Sequence, residues 1–305
     1  MTAAPQSGEI WIGRIIVRAA PGRLAVVSTP IGNLGDLSSR ARDELAAADL
    51  VAAEDTRRTG QLMTTLGLSR PLLSLHEHNE TQRIPELLQR LAEGARVALV
   101  SDAGTPLLSD PGFELVRQAA AAGVTVVALP GPSAITAALS VAGLPTERFA
   151  FEGFLPARLA ERRSRLTTLA DEPRTLVFFE APHRIVETLE DCRAAFGPAR
   201  RAAVARELTK VYETVYRGTL ADLVAAASAD TNFARGEITV VIEGAASVAD
   251  VDRDASELRR VLAVLLAEMS ASKAAAMAAA LTGAKRNAAY TLAQQLTAEM
   301  VRDEP

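Results

Sequence analysis

The sequence predicts an α/β protein with two α/β domains and a small helical region at its C-terminus. Short apolar runs alternate with helix-like segments up to about residue 132, which is typical of a parallel sheet wound with helices. Five further β-like runs follow at closer spacing, and the last part of the chain has helical periodicity. We therefore expect an N-terminal extension (1–22), a mainly parallel α/β domain (23–132), a mixed-sheet α/β domain (133–247) and a helical domain (248–305).

The most informative stretch of the N-terminal domain is Ala95–Gly112. Val97–Val100 is an apolar run of the kind that forms a strand buried on both faces, and it ends abruptly in the small, turn-forming residues 101–106. Gly104 lets a ligand approach the backbone closely. Because ligands of open α/β sheets bind beyond the carboxyl ends of the strands, this is a candidate binding loop. An ordinary strand-to-helix connection is the alternative for a single loop of this kind.

The same arrangement recurs in the other strands expected in this domain. Each strand runs into a loop rich in Pro, Gly, Ser or charged residues: Leu24–Val27 into 28–36, Leu50–Ala53 into 54–58, Leu72–Leu75 into 76–80, and Val124–Leu129 into 130–134. Helices are predicted from about Ser38, over roughly Thr81–Ala92 and through Ala122, and Gly123 stands in the C′ position that ends the last of these. The repetition favours a set of loops that bind one ligand together.

The second domain is predicted to contain a mixed sheet. Its β-like runs are Phe149–Phe154, Thr175–Phe179, Ala202–Arg206, Val211–Arg217 and Ile238–Ile242. Glu207–Lys210 is too short for a crossover connection, so the two strands that it joins are expected to be antiparallel. The C-terminal segment has apolar positions from Leu258 to Leu266 and two further helices, an arrangement that resembles a helix-turn-helix.

The composition is that of a soluble globular protein. Apolar residues make up 49% of the 305 residues, and the net charge of −4 argues against a protein that coats nucleic acid non-specifically. The single cysteine, Cys192, excludes an intramolecular disulfide and a multi-cysteine metal site. No apolar run reaches membrane-spanning length, and the first twenty residues lack a signal-peptide pattern. We therefore expect a cytoplasmic protein that has no membrane partner.

A local basic surface is nevertheless predicted. The basic residues are Arg158, Arg162, Arg163 and Arg165 in one stretch, and Lys285 and Arg286 near the C-terminus. Either group is a candidate for contact with phosphate, and a solvated helix face is the alternative interpretation of each.

Several familiar kinds of site are excluded by the sequence. It contains neither the phosphate-binding P-loop pattern nor a G-x-G-x-x-G after a strand, and neither a G-x-S-x-G elbow nor a zinc-type His/Cys spacing. His76-Glu77-His78 lacks an evident third ligand, so no metal is expected. The remaining candidates are the loops at the strand ends, which would bind a ligand through backbone N–H and C=O groups and through the shape of the pocket. Such a site suits a cofactor that is itself reactive, because the protein then only has to position it. The charged residues at the strand ends are candidates for catalysis, or they pair with each other to hold the two domains together.

Nine sequence motifs, taken in order along the chain, resemble those of a known protein family. They are LAVVSTPIGNLGD (24–36), AEDTR (53–57), LHEHNE (75–80), VSDAGTPLLSDPG (100–112), LPGPSA (129–134), FEGFLP (151–156), VFFEAPHR (177–184), ARELTK (205–210) and GEITVVIEG (236–244). Together they resemble the ribosomal RNA small subunit methyltransferase I family of the tetrapyrrole methylase superfamily, over roughly residues 23–245. The C-terminal segment resembles the end of that family as well.

The resemblance implies a homodimer that binds S-adenosylmethionine in the cleft between the two α/β domains. It also implies methylation of the 2′-hydroxyl of a cytidine in the decoding region of 16S rRNA. The net charge of −4 favours the small ribosomal subunit over short naked RNA as the substrate. The cofactor-binding residues implied by the motifs are Pro30, Ser101, Asp102, Thr105, Ser133 and Ala134, with Phe179 or Glu180 and Leu208 from the second domain. As catalytic residues we expect Glu54 or Glu207 as base, with Lys210 or Arg57 orienting the hydroxyl or the adjacent phosphate. The arginines of 158–165, with Lys285 and Arg286, would contact RNA phosphates.

Two alternatives remain open at this point. One is another activity of the superfamily, such as methylation of a tetrapyrrole carbon or of a modified protein side chain, which would need neither the basic stretch nor the helical tail. The other is a non-catalytic RNA-binding assembly factor. Against it, no bulky or charged residue intrudes at Gly104, Thr105, Ser133 or Ala134.

Overall fold

A computed structural model describes residues 9–12, 15–18, 22–246 and 248–302. In the N-terminal extension, Glu9–Ile12 (β1) and Ile15–Arg18 (β2) pair as an antiparallel two-stranded sheet, which the sequence did not lead us to expect. The other residues of the extension before Gly22 lie outside the described ones.

The first large sheet consists of five parallel strands. They are β3 (Arg23–Val27), β4 (Leu50–Ala53), β5 (Leu72–Ser74), β6 (Arg96–Val100) and β7 (Thr125–Leu129), in the spatial order β5-β4-β6-β3-β7. Most of their side chains are buried, because an apolar core cluster covers each face of the sheet. The prediction of a parallel α/β domain is therefore confirmed.

The winding of this sheet reverses between β3 and β6. The chain leaves β3 toward β4 on one side and leaves β6 toward β7 on the other, so the loops after β3 and β6 meet at the switch point of the sheet. Crevices at such points are where open α/β sheets bind ligands.

Four helices connect these strands. They are α1 (Ser39–Ala47), α2 (Thr56–Thr65), α3 (Glu80–Ala92) and α4 (Phe113–Ala121). Helix α2 was not predicted from the sequence, since four threonines and Gly60 give Thr56–Thr65 a weak helical preference. The Asp55 side chain caps it by accepting the Arg57 N–H, and Thr59 and Met63 bury one face. Gly123 occupies the expected left-handed position after α4, with φ +77°.

The second large sheet is mixed, as predicted. Its elements in chain order are α5 (Ala134–Ala142), β8 (Phe149–Phe154), α6 (Leu159–Thr168), β9 (Thr175–Glu180), α7 (Ile185–Phe196), β10 (Arg201–Arg206), β11 (Thr214–Thr219), α8 (Leu220–Ala229) and β12 (Ile238–Ile242). The strand order is β11-β10-β12-β9-β8, with β8 and β9 parallel and the other pairs antiparallel.

The strand predicted over Val211–Arg217 begins at Thr214 instead. Residues 207–213 form two successive turns, in which the Lys210 N–H donates to Glu207 O and the Glu213 N–H donates to Lys210 O. Glu207 and Thr209 in the first turn have positive φ values of +52° and +65°. The second turn, closed by the Glu213 N–H, keeps Val211–Glu213 out of the sheet.

The C-terminal helices form a compact unit of their own, separate from the unit that contains both large sheets. They are α9 (Val248–Leu266), α10 (Ala271–Thr282) and α11 (Arg286–Arg302). Their apolar faces form one cluster, in which the small residues Ala274, Ala278 and Ala293 are fully buried. No helix in the described parts of the chain has both the length and the apolar character required to span a bilayer. The domain boundaries given above remain predictions.

Candidate active site

A cavity of about 390 Å³ lies at the carboxyl ends of the first sheet, and residues of the second sheet form its other wall. From the first sheet and α5 it is lined by Ile31, Glu54, Arg58, Asp102, Ala103, Gly104, Thr105, Leu108, Ser109, Asp110, Ser133 and Ala134. From the second it is lined by Phe154, Phe179, Glu180, Ala181, Pro182, Ala205, Leu208, Gly236, Glu237, Ile238 and Thr239. Its size is that of a small-molecule binding site.

Backbone hydrogen bonds fix the floor of the cavity. Thr29 and Gly104 pair as an isolated antiparallel bridge, with N–H to O distances of 2.9 and 3.0 Å in the two directions. Gly104 has φ +83°, and a Cβ there would lie 3.2 Å from the Ile31 Cγ2 atom, so both conformation and space favour glycine. Thr105 Oγ1 lies 2.9 Å from Ser28 Oγ and 3.0 Å from the Pro132 carbonyl oxygen. The loops after β3, β6 and β7 are thereby joined.

Asp102 joins the loop after β4 to the loop after β6. Its Oδ1 atom accepts the Asp55 N–H at 3.0 Å, and its Oδ2 atom lies 3.3 Å from Arg58 Nη1. The Asp102 N–H in turn donates to Glu54 Oε2 at 3.4 Å. Glu54 and Arg58 are thus both held at the cavity.

The cavity is rich in carboxylates. Among the lining residues, all in the described chain, Arg58 is the cationic one, and the acidic ones are Glu54, Asp102, Asp110, Glu180 and Glu237. Within the described residues, no group of three or more His, Cys, Asp or Glu side chains is arranged to hold a metal ion.

Two of these carboxyl groups have raised pKa values. Burial raises the pKa of Asp110 to about 6, with the negative charges of Glu54 and Asp102 adding to the effect and a hydrogen bond with Ser101 opposing it. Burial also raises the pKa of Glu54, against the hydrogen bond from the Asp102 backbone. Leu107 and Ser109, beside Asp110, have φ values of +75° and +72°, which non-glycine residues rarely adopt. Strain of this kind is concentrated at functional sites.

Aromatic rings form part of the wall contributed by the second sheet. The ring of Phe179 packs edge-on against Phe151 and Phe154, with centroid distances of 4.8 and 5.7 Å. Phe179 and Phe154 both line the cavity, together with the buried Leu208.

Glu207 and Lys210 face each other outside the lining of the cavity. Lys210 Nζ lies 2.7 Å from Glu207 Oε1 and 3.2 Å from Glu237 Oε2, and Glu207 also accepts the Glu237 N–H at 2.9 Å. Burial opposes ionisation of Glu207, but the hydrogen bonds from Lys210 and Glu237 outweigh it and lower the pKa of Glu207. A lowered pKa makes a poor proton acceptor, so the geometry does not favour Glu207 as base.

The structure brings most of the predicted catalytic and cofactor-binding residues together. The predicted residues that line the cavity are Glu54, Asp102, Thr105, Ser133, Ala134, Phe179 and Leu208. Ser101 is buried and lies outside the lining, and Pro30 precedes the lining residue Ile31. The Arg57 side chain is 87% exposed and pairs with Asp55, also outside the lining. The sequence reasoning did not identify Arg58, Leu108, Asp110, Phe154 or Glu237, although each stands within or beside a motif already recognised.

The basic stretch divides into one buried and three exposed arginines. The Arg162 side chain is 2% exposed and donates through Nε to Asp191 at 2.7 Å, so it is not available to a phosphate. Arg158, Arg163 and Arg165 are exposed, and each pairs with a carboxylate: Glu161, Asp191 and Glu152 respectively. Lys285 and Arg286 are exposed in the C-terminal unit.

Comparison with known proteins agrees with this architecture. Residues 23–224 match the tetrapyrrole (corrin/porphyrin) methylases, and residues 252–297 match the RsmI C-terminal HTH domain. The ribosomal RNA small subunit methyltransferase I of Xylella fastidiosa (strain Temecula1) is 55% identical over 81% of this chain and 90% of its own length. The protein of the same name from Escherichia coli O157:H7 is 49% identical over 89% of this chain and 94% of its own length. The chain belongs to the ribosomal RNA small subunit methyltransferase I family of tetrapyrrole methylases.

Solved structures show the tetrapyrrole methylase fold in more distant proteins. The methyltransferase CobJ has a TM-score of 0.55 at 23% identity, covering 74% of this chain and 95% of its own. Diphthine synthase has a TM-score of 0.54 at 18% identity, covering 72% of this chain and 90% of its own. At these identities the likeness concerns the fold alone. Membership of this methyltransferase family and the two-sheet fold confirm the resemblance inferred from the motifs.

Proposed function

We propose that this protein transfers the methyl group of S-adenosylmethionine to the 2′-hydroxyl of a cytidine in the decoding region of 16S rRNA, on the assembled small subunit. The observation that carries the proposal is a carboxylate-rich cavity built by the family's motifs, in a chain whose relatives are named ribosomal RNA small subunit methyltransferase I. The helix-turn-helix match at the C-terminus supports a nucleic-acid substrate. A cytoplasmic homodimer is part of the same proposal.

The residues of the cavity fit S-adenosylmethionine. Carboxylates such as Asp102 and Glu237 complement its positive charges and accept hydrogen bonds from its ribose hydroxyls. The aromatic face of Phe179 suits a sulfonium cation or an adenine ring. A dinucleotide fits less well, because the same carboxylates would oppose its pyrophosphate. When bound, the cofactor supplies a methyl carbon made electrophilic by positive sulfur, and the electron pair of the broken C–S bond stays on sulfur.

The protein then has to align the ribose hydroxyl and accept its proton. We assign the proton acceptor to Asp110, which lines the cavity and is half-buried. Its pKa of about 6 lets it be ionised at neutral pH and still bind a proton released by the hydroxyl. Glu54 lines the same cavity and also has a raised pKa, so it is the alternative proton acceptor. Arg58, at the same cavity, would orient the adjacent phosphate.

Methyl transfer from labelled S-adenosylmethionine tests the proposed function. Small subunits that lack the modification, naked rRNA and a tetrapyrrole precursor serve as parallel acceptors. We expect label at a cytidine 2′-oxygen of the subunit. Label on the macrocycle alone would overturn the rRNA substrate, and cofactor binding with no label on any acceptor would favour a non-catalytic assembly factor.

The exposed arginines of the basic stretch, Arg158, Arg163 and Arg165, are expected to bind RNA phosphates. Arg158→Ala should weaken binding to the small subunit uniformly across RNA sequences and reduce the slope of log K against log salt by about 1, because one phosphate contact is lost. Filter binding at several salt concentrations measures both quantities. Arg83→Ala is the matched control, since Arg83 also pairs with a glutamate three positions away on an exposed helix face, outside the basic stretch. An equal change in both variants would contradict a specific role for Arg158.

A further inference from the structure

Phe154 is the exposed one of the two aromatic residues that line the cavity. Its ring lines the cavity, and yet the residue is 56% exposed, whereas Phe179 behind it is half-buried and Phe178 on the same strand is fully buried. Leaving so much aromatic surface in water forgoes the stabilisation that its burial would bring. The exposed part of the ring therefore stands at the mouth of the cavity without a partner from the described chain that covers it.

The backbone conformation around Phe154 places its ring at the mouth of the cavity. The pairing of β8 with β9 is shifted by a bulge between Phe151 and Phe154, and Gly153 within it has φ +64°. A Cβ at Gly153 would lie 3.1 Å from Ser109 Oγ, in the loop that carries Asp110. Bulges of this kind occur beside active sites, where they re-aim a side chain.

Side-chain contacts hold the segment on both sides of Phe154. Arg184 Nη2 donates to the carbonyl oxygens of Leu155 and Pro156 at 2.8 and 3.0 Å. On the preceding side, Glu152 forms an ion pair with Arg165 of α6. These contacts hold the segment that carries the Phe154 ring in place beside the basic stretch.

We propose that the Phe154 ring is the surface on which the base of the target nucleotide stacks, which makes it a positioning residue for methyl transfer. This inference rests on the proposed function. A ribose hydroxyl reaches the half-buried Asp110 only if its nucleotide leaves the RNA stack and enters the cavity, and enzymes that act on such nucleotides hold the displaced base against aromatic or apolar side chains. Phe154 is at the mouth, where the base would lie, and Arg58 is placed at the same cavity for the phosphate.

The test compares Phe154→Ala, Phe154→Leu and Phe154→Trp in the subunit methylation assay. Loss of one base-stacking contact predicts a fall of about 5- to 150-fold in kcat/KM for Phe154→Ala. Phe154→Trp should retain activity because it keeps a flat π surface, and Phe154→Leu should resemble the alanine variant. The dissociation constant of S-adenosylmethionine, measured by calorimetry, should change little in all three. Phe113→Ala is the matched control, since Phe113 is 68% exposed and lies outside the lining of the cavity.

Three results would overturn the inference. Unchanged kcat/KM in Phe154→Ala would show that the ring does not position the substrate. Cofactor binding weakened as much as kcat/KM would place the ring against the cofactor, and full activity of Phe154→Leu would indicate apolar packing without stacking. Each of these requires a wild-type protein that labels rRNA. A wild type that labels no rRNA would overturn the proposed function and this inference with it.

Discussion

Replacing Asp110 by asparagine is expected to lower kcat for methyl transfer about 100-fold or more, because a positioned proton acceptor contributes at least that factor. In the wild type, kcat should rise with pH, pass through half of its limiting value near pH 6 and level off about one pH unit higher, as the Asp110 carboxyl loses its proton. Asp110→Asn should lack this rise. Single-turnover rates at saturating S-adenosylmethionine, measured from pH 5 to pH 8.5, separate the two curves.

The same substitution should stabilise the protein at neutral pH. The folded-state pKa of Asp110 is raised above the ordinary value of 3.8, so the wild type loses stability as the pH rises from about 4 to about 6. Asparagine has no charge to bury near Glu54 and Asp102, and the stability advantage of Asp110→Asn should therefore grow over that pH range and then remain constant. Denaturant unfolding at pH 4 and pH 8 measures it.

Glu54→Gln is the control that tells the two cavity carboxylates apart. Removing the negative charge of Glu54 should lower the pKa of Asp110 and move the rise in kcat to lower pH without abolishing it. If Glu54→Gln abolishes the rise and Asp110→Asn keeps it, Glu54 is the proton acceptor and the assignment to Asp110 is wrong.

Replacing Asp191 by alanine should cost about 3–5 kcal/mol of the free energy of unfolding, because it leaves the Arg162 guanidinium buried without its principal partner. The side chains of Asp191 and Arg162 are 4% and 2% exposed and 2.7 Å apart. The other carboxylate near Arg162, Glu187, is 75% exposed and 3.5 Å away. Urea unfolding monitored by circular dichroism measures the loss.

The buried ion pair between Asp191 and Arg162 also predicts that the free energy of unfolding depends on pH. Burial opposes ionisation of Asp191, but hydrogen bonds from Arg163 and Arg162 outweigh it and lower the pKa of Asp191. Its stabilising effect is therefore present above the ordinary carboxyl pKa and lost as the pH falls through the lowered value. Arg163→Ala is the control, since the Arg163 side chain is 63% exposed and its ion pair is worth at most about 1 kcal/mol. Equal midpoints for Asp191→Ala and the wild type would refute the role of the buried pair.

The elements that the sequence predicts correctly are those whose local signal and tertiary environment agree. Strands such as Val97–Val100 are continuous apolar runs, and in the structure both of their faces meet a core. Helix α2 was missed because its cap at Asp55 and the burial of Met63 stabilise a segment whose composition disfavours a helix. The start of β11 was misplaced because Val211 and Tyr212 are residue types that favour a strand, whereas the hydrogen bond from the Glu213 N–H to Lys210 O places them in a turn.

For the site, the sequence indicates which loops converge, while the role of an individual side chain depends on contacts between distant residues. Arg162 and Arg158 look alike in sequence, and only the packing of α6 against α7 buries one of them on Asp191. Asp110 is five positions beyond Thr105 in the same motif, and the backbone turns at Leu107 and Ser109 bring it to the same cavity. The orientation of Phe154 depends in the same way on a bulge that periodicity does not reveal.

The hydrogen-bonded bridge between Thr29 and Gly104 has a consequence for the energetics of ligand binding. Loops that become ordered only when a ligand arrives subtract their lost conformational entropy from its affinity. Here two backbone hydrogen bonds and the contacts of Thr105 hold the three loops together through groups of the protein itself. The conformational entropy of these loops is therefore lost when the protein folds, before any ligand binds. The site is preorganised, so most of the interaction energy between a ligand and these loops contributes to affinity.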